Sequence, residues 1–172
     1  MLRLDASRDA LLVIDLQANM VPAILGGEEV VARARFLARA ARLLGVPVAA
    51  TEQNPARLGT TVEGLLEEPA HAKMAFSAAS WAPEVPGVVV LVGVETHICV
   101  AQTALDLRAA GREVAVAADA AGARTEDRHT LGLERMRAAG VALVHSEAVL
   151  YEWLESAEHP EFRAALKLVK ES

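Results

Sequence analysis

Cysteine is nearly absent from this chain: Cys99 is the only one in 172 residues. A single cysteine excludes an internal disulfide framework and any CxxC or multi-cysteine metal cluster, and it points to a reducing, cytoplasmic setting. Aromatic residues are only 3% of the chain, and alanine and valine carry much of its 53% apolar content. Small apolar residues in alternating helical and strand-like runs suit a layered α/β protein better than an all-β sandwich. Lysine is scarce too, three against fourteen arginines among the 17 basic residues, a bias we assign to codon usage before function. The net charge of −6 leaves no basic face to neutralise phosphates, which argues against a general nucleic-acid binder. No stretch reaches the roughly 18 consecutive apolar residues of a spanning helix, so no membrane partner is expected. The opening MLRLDASRDALLVID places acids and polar residues before any useful apolar run, unlike a secretory signal. Repeats, low-complexity tracts and linkers are also missing, so one domain over residues 1–172 is expected.

What is present is a regular alternation. ALLVIDL (10–16) is a short apolar run closed by an acid, as in a strand covered on both faces. After a loop with Pro22 and Gly26–Gly27, residues 28–44 read as a helix with acids in its first turn and arginines later. Gly45 ends it, and VPVAAT (46–51) reads as a second strand. A loop over 52–61 and a short helix at 62–67 follow, then a third strand at 70–77 interrupted by a lysine. VVVLVG (88–93) is the strongest strand, and residues 96–111 are helical. A strand at 113–119, a helix at 125–140, a strand at 141–146 and helical segments near 147–155 and 160–170 complete the chain. Strand–helix–Gly–strand units in series imply right-handed βαβ crossovers. The expected fold is α/β, a three-layer, doubly wound, mostly parallel sheet of about six strands, Rossmann-like.

Ligands of such sheets bind beyond the carboxyl ends of the strands. Asp15 and Gln17, Glu52 and Gln53, Lys73, the segment GVETHIC and Asp119 fall there. Cys99 has two readings by position, a small buried hydrophobe or a nucleophile. Thr96 is a good helix N-cap, which would set Cys99 among free N–H groups that lower a thiol's pKa and could hold an oxyanion. Asp15 could equally serve as a turn residue. Lys73 lies in an apolar surround, where an ammonium needs a carboxylate partner, and Asp15 is the obvious one. An Asp–Lys pair beside a cysteine could supply a general base and a supporting cation. The five histidines, His71, His97, His129, His145 and His159, are scattered and read as structural or surface residues. LVGVETH lacks the glycine spacing of a dinucleotide loop.

Taken together, LLVIDLQ, TEQNPARLG, HAKMAFS, LVGVETHICVAQTALDL, VAVAADAAGAR and HPEF resemble the isochorismatase-like cysteine hydrolases, in their short, isochorismatase-domain-containing subgroup. The resemblance runs from about residue 8 to 170. It implies a catalytic Cys99, Asp15 and Lys73: sulfur attacks a carbonyl-type carbon, Asp15 moves the proton and later activates water, and Lys73 supports both. It also implies a cis Val94–Glu95 peptide, which would turn the Glu95 N–H, with that of Cys99, toward an oxyanion. Gln17, Gln53 and Phe76 are the expected substrate-pocket residues by position. Nicotinamidases of the superfamily hold a metal through an Asp-x-His pair where this chain has TEQNP, so no metal or other cofactor is expected. The expected activity is hydrolysis of a small-molecule amide or related C–N bond through a thioester. The alternatives are a non-catalytic binding or regulatory protein and a redox sensor at Cys99. So short a chain has little room for a lid, and a homo-oligomer, dimer or tetramer, is expected to complete the pocket.

Overall fold

Strand β1 (Ala10–Ile14) is apolar at every position because both its faces are covered, and the same holds for β4 (Val88–Val94). In a computed structural model that describes residues 2–67 and 69–171, these two strands form the centre of the sheet. β2 (Val48–Gln53) and β3 (His71–Lys73) extend it on one side, β5 (Glu113–Gly122) and β6 (Ala142–Val144) on the other, in the order β3-β2-β1-β4-β5-β6. Every pairing between these strands is parallel. The chain order reverses between β1 and β4, and at such a switch point the two outgoing loops diverge and leave a crevice.

Alternation along the strands feeds two cores. Leu11 and Val13 of β1 and Val90 and Val92 of β4 face helices α1 (Gly27–Leu43), α5 (Ser146–Leu154) and α6 (Phe162–Glu171), packing with Phe36, Leu37, Trp153 and Leu168. Leu12, Ile14, Val89 and Leu91 face α3 (Ala101–Ala109) and α4 (Glu126–Ala138), with Ala104, Leu107 and Met136. Cys99 belongs to this second core.

Gly93 shows how closely the central strands approach. Its φ is +124°, and a Cβ there would stand 2.0 Å from the Ile14 carbonyl oxygen, so only glycine fits. Pairing between β4 and β5 shifts register between Leu91 and Gly93 and resumes at Gly93–Ala121 and Val94–Gly122. This carries β5 three residues beyond the 119 expected from sequence and brings the segment after it over the end of β4.

Two local expectations are corrected. The short helix lies at α2 (Pro55–Leu58), not at 62–67: Pro55 starts it, while Gly64 at φ +71° is a turn residue inside the expected span. β3 keeps only three of the eight expected residues, because the chain after Lys73 curls back so that the Ala75 and Phe76 carbonyls reach the Lys73 ammonium.

Candidate active site

Asp15 ends β1 in a left-handed conformation, φ +53°, which aspartate tolerates better than most residues. Its carboxylate is fully buried but has partners on both oxygens. Thr51 Oγ donates to Oδ1 at 2.8 Å, and Lys73 Nζ donates to Oδ2 at 2.7 Å. Lys73 is itself buried, with Gln53 Oε1 at 2.7 Å, Phe76 O at 2.9 Å and Ala75 O at 3.1 Å. An ammonium taken from water is tolerable only with such a shell, and this one ties β3 and its following loop to the end of β1.

The third member arrives from β4. Its last peptide bond, Val94–Glu95, is cis, and the next turn, Thr96–Val100, is π-helical before α3 begins. The Glu95 carbonyl accepts from both Ile98 N at 3.0 Å and Val100 N at 3.2 Å. This turn puts the Cys99 thiol close enough to Asp15, Lys73 and the Glu95 backbone for all three to act on its protonation. Thr103 Oγ1 fastens the turn from inside, donating to Cys99 O at 2.6 Å and accepting from Ala78 N at 2.8 Å. From outside, α4 presses on it through Gly132, where a Cβ would meet His97 Cα at 2.9 Å.

Two expectations about this turn change. Thr96 is not the N-cap; Glu95 holds that position, and the buried Thr96 hydroxyl pairs instead with His129 Nδ1 at 2.9 Å. Nor is the thiol acidified. Burial, then the Asp15 charge, push Cys99 up to about 12; the Lys73 ammonium and the Glu95 backbone oppose this without reversing it. At neutral pH the resting sulfur is a thiol.

Gln17 and Gln53, expected to line the pocket, are both buried. Gln17 is fully buried; its amide donates to Gln53 O at 3.1 Å and Gly59 O at 2.6 Å and accepts from Gln53 N at 2.8 Å. Gln53 spends its amide on Lys73 and on Met74 O at 2.9 Å. Both hold the loops that carry the site and turn no side-chain group outward. Phe76 is 54% exposed and Met74 71%, so the loop after β3 offers an apolar rim. Glu52 turns away to bind Thr61 N at 2.6 Å and Oγ at 2.8 Å, and Asp119 accepts from Ser146 N at 2.8 Å.

The histidines take separate places. His71 stacks on Trp81 with ring centroids 4.5 Å apart, His145 meets Asp119 at 3.3 Å, and His159 accepts from Glu161 N at 3.1 Å. His97 Nδ1 is buried without a hydrogen-bond partner among the described residues. Among those residues no three His, Cys, Asp or Glu side chains gather in a way that could hold a metal ion. Sequence reasoning missed Thr51 and Arg124, which approach the site through hydrogen bonds to distant segments, and Thr103, which bonds Cys99 O four residues back and Ala78 N from a separate loop. Thr51 alone carried a signal, as the last residue of the predicted second strand.

The doubly wound parallel sheet thus gathers a carboxylate from the end of β1, an ammonium from the end of β3 and a thiol from the turn after β4. The Isochorismatase domain model matches residues 9–148, and the chain belongs to that family. Isochorismatase domain-containing protein 2 of Danio rerio is 36% identical over 176 residues, covering 97% of this chain and 89% of that protein. Isochorismatase domain-containing protein 1 of the same fish is 36% identical over 170 residues, 92% of this chain; the chain spans only 59% of that relative's length. In three dimensions the MAR1 Ribonuclease of Caenorhabditis elegans superposes with a TM-score of 0.91 at 33% identity, covering 98% of this chain and 92% of its own.

Proposed function

We propose that this chain is a cysteine hydrolase that cleaves a small-molecule amide or related C–N bond through a thioester at Cys99. One observation carries the reading: a buried carboxylate, Asp15, bound to the Lys73 ammonium and near enough to the Cys99 thiol to act on its proton. A high thiol pKa in the resting state fits general-base activation, in which the proton leaves sulfur only as the bond to carbon forms. Asp15 takes that proton, the carbonyl π pair moves to oxygen, and the backbone N–H groups of Glu95 and Cys99 stabilise the oxyanion. Collapse expels the amine with the proton returned from Asp15. Water, deprotonated by the same carboxylate, then releases the acid and restores the thiol. Lys73 balances the charge of Asp15 through the cycle, and Phe76 offers an apolar wall to the substrate.

Within this reading the protein works in a reducing compartment, and a second copy of the chain covers the exposed Met74 and Phe76 rim. A fully active monomer in sedimentation would end the latter point. The ribonuclease named among the structural neighbours raises RNA as another substrate. The net charge of −6 gives phosphates little to bind, and small amides are favoured.

The experiment is turnover of a panel of small amides, with an RNA oligonucleotide alongside. Amide cleavage abolished by Cys99→Ala and by Asp15→Asn supports the reading. RNA cleavage that survives Cys99→Ala would sink it, as would conversion of Cys99 to a sulfenic acid by dilute peroxide with no amide turned over.

A further inference from the structure

Glu95 presents a puzzle that the proposed chemistry does not use. Its side chain is only 9% exposed, although it touches neither Asp15 nor Lys73 by any hydrogen bond described above. Its Oε2 accepts from Arg124 twice, from the backbone N at 3.2 Å and from Nε at 3.0 Å. Arg124 stands two residues past the end of β5, and that end is registered on β4 through Val94–Gly122. The pair therefore bridges the tips of two neighbouring strands at the residue whose backbone reaches the Cys99 sulfur. The Glu95 carbonyl is already pinned by Ile98 N and Val100 N. Those bonds hold the peptide group that follows Glu95, and the Arg124 contacts hold its side chain, so the Cα from which the Glu95 N–H is aimed is anchored on two sides.

We propose that Arg124 is a positioning residue: through the Glu95 carboxylate it fixes the Glu95 N–H as an oxyanion donor and neutralises a negative charge beside the developing oxyanion. The inference rests on the reading of Cys99 as a nucleophile. It has two physical parts. A donor must be aimed at the place where charge will appear, and charge-assisted bonds to a shielded carboxylate hold geometry better than neutral ones. A carboxylate left without its guanidinium would also repel an oxyanion formed a few ångströms away. Arg124 is 48% exposed, so its effect lies in geometry and local charge more than in stability.

The test compares two reagents on the intact protein. p-Nitrophenyl acetate acylates sulfur: the S–C bond forms, the carbonyl pair moves to oxygen, Asp15 takes the thiol proton, and p-nitrophenolate leaves as the oxyanion collapses. Iodoacetamide alkylates the same sulfur by displacing iodide and builds no oxyanion. Arg124→Ala should slow acylation about tenfold at unchanged half-saturation, less than outright loss of a donor, and leave alkylation within about twofold. Arg124→Lys should recover part of the loss by restoring charge without the paired N–H geometry. Equal slowing with both reagents in both variants would mean general loosening and would overturn the inference, as would no slowing with either. If the unmodified protein is not acylated at Cys99 by mass spectrometry, the nucleophile reading itself fails and takes the inference with it. If it is acylated and Arg124→Ala matches it, only the inference falls.

Discussion

Lys73 Nζ lies 2.7 Å from Asp15 Oδ2, with both side chains almost wholly shut off from solvent. In this setting each charge makes the other tolerable. Removing one strands its partner in a low-dielectric interior. Keeping both is not itself a large source of stability, because each loses its hydration on folding. Lys73→Met should therefore destabilise the fold by on the order of 3–5 kcal/mol, since a carboxylate is left with the Thr51 hydroxyl and the Cys99 thiol. Urea unfolding followed by circular dichroism checks this. A midpoint unchanged from wild type would mean that the pair is not buried as described.

The Cys99 thiol, at about 12 against a free value of 9.0, makes stability pH-dependent. Its folded-state value is raised, so the folded chain holds the proton more tightly. That contribution is complete below pH 9 and is lost as pH climbs from 9 toward 12. Cys99→Ala should remove this component of the alkaline loss, seen as a flatter fall of melting temperature over that window. Asp15→Asn should pull the thiol's titration downward, because a neutral amide no longer repels the thiolate. Thiolate absorbance near 240 nm would follow it. An upward shift in that variant would show that Asp15 is not facing the sulfur.

His129 works in the opposite sense. Burial holds it below the usual 6.5, with Glu126 opposing, and its Nδ1 is engaged by Thr96 at the start of the turn that carries Cys99. Protonation is then easier in the unfolded chain, so the stability tied to neutral His129 is lost as pH falls below 6.5. His129→Asn should blunt the loss of melting temperature as pH falls below 6.5. An identical acid profile in the two proteins would argue against the buried, neutral ring.

Gly93 offers a steric test. Any side chain there enters the Ile14 backbone and also requires an unfavourable φ of +124°. Gly93→Ala should cost roughly 3 kcal/mol or more and loosen the β1–β4 seam on which both Asp15 and Cys99 depend. Loss of amide hydrogen-exchange protection across Leu11–Ile14 would report it. Full protection at wild-type stability would contradict the close approach.

Much of the frame is legible in the residues themselves. ALLVI and VVVLVGV are apolar throughout because they are central and parallel, and local pattern alone identifies such strands. Right-handed crossovers make the sheet doubly wound, and the strand runs put Asp15 and ETHIC at or just after strand ends. The strand order and the end of β3 at Lys73 come only from the structure. The short helix was misplaced because Pro55 and the turn at Gly64 outweigh weak local propensity over 62–67.

What only the tertiary structure decided is where each polar group finds its partner. Gln17 looks like a ligand-facing residue until Gln53 and Gly59, 36 and 42 residues away, are seen to consume its amide. Arg124 looks like a surface cation until β5 is registered against β4 and brings it to Glu95. The protonation of Cys99 belongs to the same class. A helix N-terminus read from sequence lowers a thiol's pKa, but desolvation and a facing carboxylate, both set by packing between distant segments, raise it further than the turn can lower it. Hydrophobic period is written along the chain; hydrogen-bond partnership and dielectric environment come into being only when the chain has closed on itself.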